Sequence, residues 1–303
     1  MKNSPLGMDG KNCIITGGNR GIGKQVATEI AKMGANIGII TRNRIKGEKA
    51  VNEIISDSKN NQITLFVTDI ASQEQLKQLS KEIQQKFSHI DVLVNNAAVL
   101  LRKREETEDG IERTLATNHL GPFLLVNLLF KTLEKSKSAR VINISSDGHR
   151  KAEIDIEDLN YTKRKYSGFK AYYQSKLLNL LFTYELTSRI ESLSSSIILV
   201  NALDPGRVNT DIGKNYDTVS YRIFSKLIRP VISISVHQGA ETPIYLATSR
   251  EVNGVSGKYF INRKISKSSR LSYDRPLQKS VWKLSENYVG INSEDYGVGD
   301  SIE

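Results

Sequence analysis

Thr16-Gly17-Gly18-Asn19-Arg20-Gly21-Ile22-Gly23 stands between a short apolar run, Cys13 to Thr16, and a stretch of helical spacing that continues to Met33. A strand, a glycine turn and a helix together suit a phosphate. The turn lets the backbone approach the anion, while the free N–H groups and positive dipole end of the helix stabilise its charge. Gly18 to Lys24 also fits the first seven positions of GxxxxGK, but the eighth is Gln25, where a triphosphate-binding loop needs Ser or Thr to ligate magnesium. The GxGxxG fingerprint fails too, because from Gly21 the chain reads GIGKQV, with valine at the third glycine. What remains is the spacing TGxxxGxG.

On either side of this loop, apolar β-branched runs alternate with longer segments of helical spacing, the pattern of βαβ units around a parallel sheet. Strands are expected over Cys13–Thr16, Ile37–Thr41, Ile63–Thr68, Val92–Asn95, Arg140–Ser145 and Ile197–Ala202, with Gly257–Phe260 as the last edge strand. The expected fold is a single doubly wound α/β domain of Rossmann type, with a mostly parallel sheet and helices on both faces. No linker divides Lys11 from about Ile261. A basic, serine-rich stretch, Arg263–Arg270, and a helical segment from Pro276 to Tyr288, containing the single Trp282, follow.

The 303 residues are 39% hydrophobic and 25% charged, a globular composition. One cysteine, Cys13, excludes a disulfide-stapled scaffold and reads as an inert buried thiol. The start MKNSPLGMDG lacks the apolar stretch of a signal peptide, and the longest apolar runs fall short of a membrane span, so a cytoplasmic protein is expected. A net charge of +10 suits nucleic acid, an acidic membrane surface or a phosphorylated cofactor. The basic clusters at Lys163–Lys165 and Lys258–Arg270 lack the interleaved aromatics of a nucleic-acid groove, so no nucleic acid is expected and weak peripheral membrane contact stays open. His89, His119, His149 and His237 show no metal-ligand spacing, so no metal is expected. His149, just after the serine strand, is weighed as a residue of a substrate entrance against a surface position.

Three YxxxK matches occur: Tyr161 with Lys165, Tyr166 with Lys170, and Tyr172 with Lys176. The first two lie in the polar stretch Asn160–Lys170, and only the third begins a long apolar-periodic helix. There an i,i+4 pair shares one face, so the ammonium is expected to lower the phenol's pKa and make proton transfer feasible near neutral pH. Tyr173, about 100° around the helix, is a packing residue. After the second strand stands Thr41-Arg42-Asn43-Arg44, where NAD enzymes of this architecture carry an acid for the ribose hydroxyls. Arg42, with Arg20 in the glycine loop, therefore predicts preference for a 2′-phosphate.

The glycine spacing, Asp69, Asn95-Asn96-Ala97-Ala98, Asn118 in TNHLGPF, Ser146 in VINISSDGH, Tyr172 and Lys176 in AYYQSKLLN, and Pro205-Gly206 with Thr210 resemble the short-chain dehydrogenase/reductases. TEDGIE, AYYQSKLLNLLFTYEL, GKYF and WKLSENYVG are most similar to their retinol dehydrogenase-like branch, over residues 9 to 291. Ala98, Pro122 and Asp204 depart from the usual pattern, as does the lack of an N-terminal membrane anchor, without removing a catalytic group.

The resemblance implies an NADP(H)-dependent oxidoreductase acting on a lipophilic carbonyl or alcohol: retinal-like, steroid-like or another apolar aldehyde or ketone. It makes Tyr172 the proton donor or acceptor, and Ser146 rather than Ser145 the group that polarises the substrate oxygen. Lys176 holds the nicotinamide ribose, and Asn118 helps hold a relaying water. Gly17, Asn19, Arg20, Gly21, Ile22, Gly23, Arg42, Asp69, Ile70, Asn96, Ala97, Lys176, Pro205, Gly206, Val208 and Thr210 are the expected cofactor-binding residues. Residues 1–8 are expected as a flexible N-terminus, 9–275 as the NADP-binding catalytic domain with a substrate lid over 212–236, and 276–303 as a C-terminal arm. The rival reading is a nucleotide-binding sensor or scaffold without turnover, against which Ser146, Tyr172 and Lys176 stand. Oligomeric state is not readable.

Overall fold

In the computed structural model the described residues are 7–193, 198–206, 208 and 234–300. The strands are β1 (Asn12–Thr16), β2 (Asn36–Thr41), β3 (Ile63–Val67), β4 (Val92–Asn95), β5 (Ala139–Ile144), β6 (Ile198–Asp204), β7 (Lys258–Ile261) and β8 (Lys264–Ser266). They form one sheet in the order β3-β2-β1-β4-β5-β6-β7-β8, parallel up to β7. Lys258–Ile261 is not the edge strand expected. The chain turns back through Asn262 and Arg263, both at positive φ, and lays β8 antiparallel on it.

Among the described residues seven longer helices cover the sheet: α1 (Gly21–Lys32), α2 (Arg44–Ser58), α3 (Gln73–Lys86), α4 (Gly121–Glu134), α5 (Gly168–Glu191), α6 (Val236–Thr248) and α7 (Arg275–Val289). Their starts are written locally. Asn43, Ser72, Ser235 and Asp274 each accept a backbone N–H of the first turn of α2, α3, α6 and α7, satisfying donors that have no partner within the helix. α5 begins at Gly168, inside the stretch expected to stay polar loop up to Lys170.

Strand alternation sorts the core into two layers. In β1, Ile14 faces the layer filled by α3, α4, α5 and α7, while Cys13 and Ile15 face α1, α2 and α6. α7 packs on α5, and its Trp282 lies 4.9 Å from Phe123 and 5.8 Å from Phe182, ring to ring. The stretch read as an arm thus contributes to the main core, as far as it is described. Met8, expected in a flexible terminus, is buried and donates its N–H to the Met33 carbonyl; residues 1–6 lie outside the described residues. Among the described residues, no helix is long and apolar enough to cross a membrane.

The strand order reverses between β1 and β4. In an open parallel sheet the connections after two such strands leave in opposite directions and open a crevice beyond their carboxyl ends.

Candidate active site

A cleft of about 320 Å³ occupies that crevice. The walls come from the ends of strands and the residue runs after them: Gly17 and Asn19–Ile22 after β1, Ile40 and Thr41 at the end of β2 with Arg42 after it, Thr68–Ile70 after β3, Asn96–Val99 after β4. Thr117 and Val236 complete it. Ten of the expected cofactor-binding residues are therefore brought together: Gly17, Asn19, Arg20, Gly21, Ile22, Arg42, Asp69, Ile70, Asn96 and Ala97.

The glycine loop is held from below. Thr16 Oγ1 accepts the N–H groups of Asn96 (2.9 Å) and Ala97 (3.0 Å), and Asn96 Nδ2 donates back to the Thr16 carbonyl at 2.8 Å. Gly17 has φ +67°, which favours glycine, and a Cβ there would stand 3.0 Å from Ala97 Cα. Gly23 lies under the cleft: its Cβ would meet Asn96 Nδ2 at 2.4 Å and the Gly17 carbonyl at 2.6 Å. Gly23→Ala is therefore expected to push Asn96 or the loop out of place. The cost is about 1–3 kcal/mol of stability, with weaker nucleotide binding, as thermal melts with and without NADP(H) would record; unchanged values of both would mean the contact is not tight.

Asp69 lines the cleft with a carboxylate already engaged, accepting the Ala71 N–H and pairing with Arg113 at 3.0 Å. Pro205, Gly206 and Val208 are not among the cleft-lining residues. Gly206, at φ +83°, donates its N–H to Asp204 Oδ1, and Val208 bridges to Ile234. Thr210 and lid residues 212–233 lie outside the described residues; Val236, the last of that segment, reaches the cleft. The sequence reading missed Ile40, Thr41, Thr68, Ala98, Val99 and Thr117 in the cleft wall, although the places of Thr41 at the end of β2 and Thr68 just past β3 could have flagged those two.

Beyond β5, Ser145 and Ser146 part ways. Ser145 is buried and donates its hydroxyl to the Lys176 carbonyl at 2.8 Å. Ser146 is half-buried and starts the 3₁₀ turn Asp147–Lys151, its Oγ accepting the Gly148 N–H at 3.2 Å; its side chain is near enough to the Tyr172 hydroxyl to favour the ionised phenol. Tyr172 and Lys176 sit one turn apart on α5, with Lys176 Nζ 5.4 Å from the Tyr172 ring centre and donating to the Ile144 carbonyl at 2.9 Å. Tyr173 packs against Gly148, whose Cβ would meet its ring at 2.7 Å. The other two YxxxK tyrosines are occupied elsewhere: Tyr161 is buried beneath the Arg164 guanidinium, and Tyr166 donates to Glu112 at 3.0 Å.

Asn118 lies in a π-turn, Ala116–Leu120, of the kind often found at functional sites. Its amide accepts the Val99 N–H at 2.8 Å, and donates to the Val99 carbonyl at 2.9 Å and to Ser175 Oγ at 3.0 Å. It thereby ties the β4 end of the cleft to α5.

The expected lowering of the Tyr172 pKa is not what the structure gives. Burial pushes the phenol above its ordinary value, outweighing the opposing hydrogen bond to Ser146, and the Asp204 carboxylate pushes the same way. Burial also pushes Lys176 down, to about 8, against the pull of Asp204. The same low-dielectric setting penalises both charged forms, so Tyr172 stays a phenol and the ammonium is less firmly held. Asp204, buried at the end of β6 and itself raised by burial, is a neighbour whose charge the sequence reading noted only as a departure.

A family model described as short chain dehydrogenase matches residues 11–219. Among curated relatives, human Retinol dehydrogenase 13 is 37% identical over 94% of this chain and 86% of its own length. Human Polyprenol dehydrogenase is 36% identical over 92% of this chain and 84% of its own. An uncharacterized protein from Mycobacterium paratuberculosis superposes with TM-score 0.77 at 28% identity, covering 95% of this chain and 97% of that one. A short chain dehydrogenase from Shigella flexneri, solved complexed with NADP, gives TM-score 0.68 at 18% identity, covering 86% and 100%.

Proposed function

Because the chain belongs to the short-chain dehydrogenase family, we propose that it is an NADP(H)-dependent oxidoreductase interconverting a lipophilic carbonyl compound and its alcohol. The single observation that carries this is the meeting of Ser146, Tyr172 and Lys176 beyond the carboxyl ends of the strands. The named relatives are dehydrogenases of retinol and polyprenol, both long apolar alcohols, which supports the substrate class.

The glycine cradle fits a dinucleotide, since two positions where a Cβ would collide floor the loop at the start of α1. Gly17, Asn19, Gly21 and Ile22 would hold its diphosphate, with Gly23 giving the close packing beneath. Arg20 and Arg42 would hold a 2′-phosphate. Asp69, Ile70, Asn96 and Ala97 line the rest of its groove, Lys176 would hold the nicotinamide ribose, and Pro205, Gly206, Val208 and Thr210 would close its far end. When bound, the cofactor supplies or accepts the hydride.

Ser146 donates a hydrogen bond to the carbonyl oxygen and polarises it. Tyr172, kept neutral by burial, is then a general acid that delivers its proton to that oxygen as negative charge develops. Lys176, still charged near neutral pH, offsets the charge left on the phenolate. Asn118 holds the water through which the proton is replaced by way of Lys176.

A pH profile follows. Carbonyl reduction is expected to be level near neutrality and to fall above about pH 8, as Lys176 loses its proton. Asp204 helps keep that proton on, so Asp204→Asn should move the falling limb to lower pH. Initial rates across pH 6 to 10, on the order of the ordinary lysine range, check this; a limb that stays put in the variant would remove Asp204 from the account. The function itself is tested with a panel of apolar aldehydes and ketones and NADPH, following the reduced nicotinamide by absorbance. Cofactor binding without turnover of any of them would favour a sensor or scaffold.

A further inference from the structure

His149 is not on the surface. It is buried, with its ring edge-on to the buried Tyr259 at 5.2 Å between centres. Its Nδ1 lies 2.6 Å from the Ser146 carbonyl oxygen, and its Nε2 lies 3.0 Å from the Ser269 backbone nitrogen. A carbonyl can only accept and a backbone N–H can only donate, so the pair of contacts fixes the ring as the neutral tautomer with its proton on Nδ1. One imidazole thus joins the first residue of the Ser146 turn to a segment 120 residues later.

That segment is itself fixed to α5. Ser268 Oγ and Tyr184 Oη are 2.7 Å apart, Tyr273 stacks on Tyr184 at 5.3 Å, and the Ser268 N–H is donated to Tyr273 Oη at 3.0 Å. Arg150, in the same turn as His149, adds a second link by donating to the Lys267 carbonyl at 2.5 Å. Ser146 stands on the turn and Tyr172 on α5, so the stretch 267–273 spans the two elements whose separation sets how the Ser146 and Tyr172 hydroxyls stand to each other.

We propose that His149 is a positioning residue that clamps the Ser146 turn to α5 through the Ser269 N–H, holding the serine hydroxyl in register with Tyr172. This rests on the reading of Ser146 as the group that polarises the substrate oxygen. Neutral imidazole is required at Nε2, and burial, together with Arg150, pushes His149 below its ordinary pKa, against the Ser146 carbonyl and Asp147. Asp147 and Arg150 face it from its own turn and Tyr259 from β7; the segment 267–273 presents the Ser269 N–H.

Ser269→Pro isolates the clamp. Ser269 has φ −67°, which proline adopts, and its own hydroxyl makes no hydrogen bond, so the chief loss is one N–H. His149→Asn provides a second route, since its amide can still reach the Ser146 carbonyl but not Ser269. Both are expected to lower kcat by about ten- to a hundredfold, the cost of a small misplacement of a reacting group, with NADPH affinity unchanged. Ser269→Ala should match the wild type. In ring ¹⁵N spectra, wild-type His149 should show the Nδ1-protonated tautomer, and Ser269→Pro should shift its titration to higher pH, a change that mere loosening of the fold would not give. Wild-type kcat in both Ser269→Pro and His149→Asn, beside a Ser146→Ala variant that has lost activity, would overturn the clamp, as would an Nε2-protonated ring. An active Ser146→Ala would instead bring down the serine reading and the clamp with it.

Discussion

Tyr172→Phe is expected to lower kcat by about 10²–10⁴, the usual worth of a positioned general acid, while leaving NADPH affinity nearly unchanged. The phenol oxygen is the atom lost, and the side chain that acts on it in this structure is Ser146, not the glycine loop. Tyr161→Phe and Tyr166→Phe, which alter the other two YxxxK tyrosines, should remain active. Tyr161 Oη makes no hydrogen bond, and Tyr166 spends its hydroxyl on Glu112, Thr114 and the Leu101 carbonyl. Steady-state rates and cofactor titrations on the three variants decide the matter. Retention of more than half the wild-type kcat in Tyr172→Phe would sink the assignment.

The second large effect concerns cofactor choice. Arg20 and Arg42 both line the cleft, on the runs following β1 and β2, where a ribose phosphate would lie in a doubly wound fold. If each guanidinium contributes about 1.5–3 kcal/mol as a hydrogen bond to a charged group, the pair supplies roughly 10²–10⁴ in preference for NADP(H). Arg42→Asp removes one donor and adds an acid that repels the 2′-phosphate, so the preference should collapse or reverse. kcat/KM for both cofactors in wild type and variant measures this. A wild type favouring NADH, or a variant with unchanged preference, would show that these arginines do not read the phosphate.

The sequence by itself determined the parallel sheet from β1 to β7, the place of the glycine loop at the cleft and the helix that carries Tyr172 and Lys176. Each is written in neighbouring residues: β-branched runs fill strands buried on both faces, TGxxxGxG joins one of them to α1, and only one YxxxK lies on an apolar-periodic helix. Three other matters were decided by tertiary structure alone. Lys264–Ser266 lies in a stretch that reads only as basic and serine-rich, and becomes a strand because the turn at Asn262–Arg263 brings it against β7. The direction of the Tyr172 pKa depends on burial by groups from several elements, which outweighs the lysine one helical turn away. His149 gains its place because Ser146 and Ser269, distant in the chain, converge on opposite sides of one ring. Periodicity and spacing report contacts within a few residues; burial and hydrogen bonds between remote segments exist only once the chain has closed on itself.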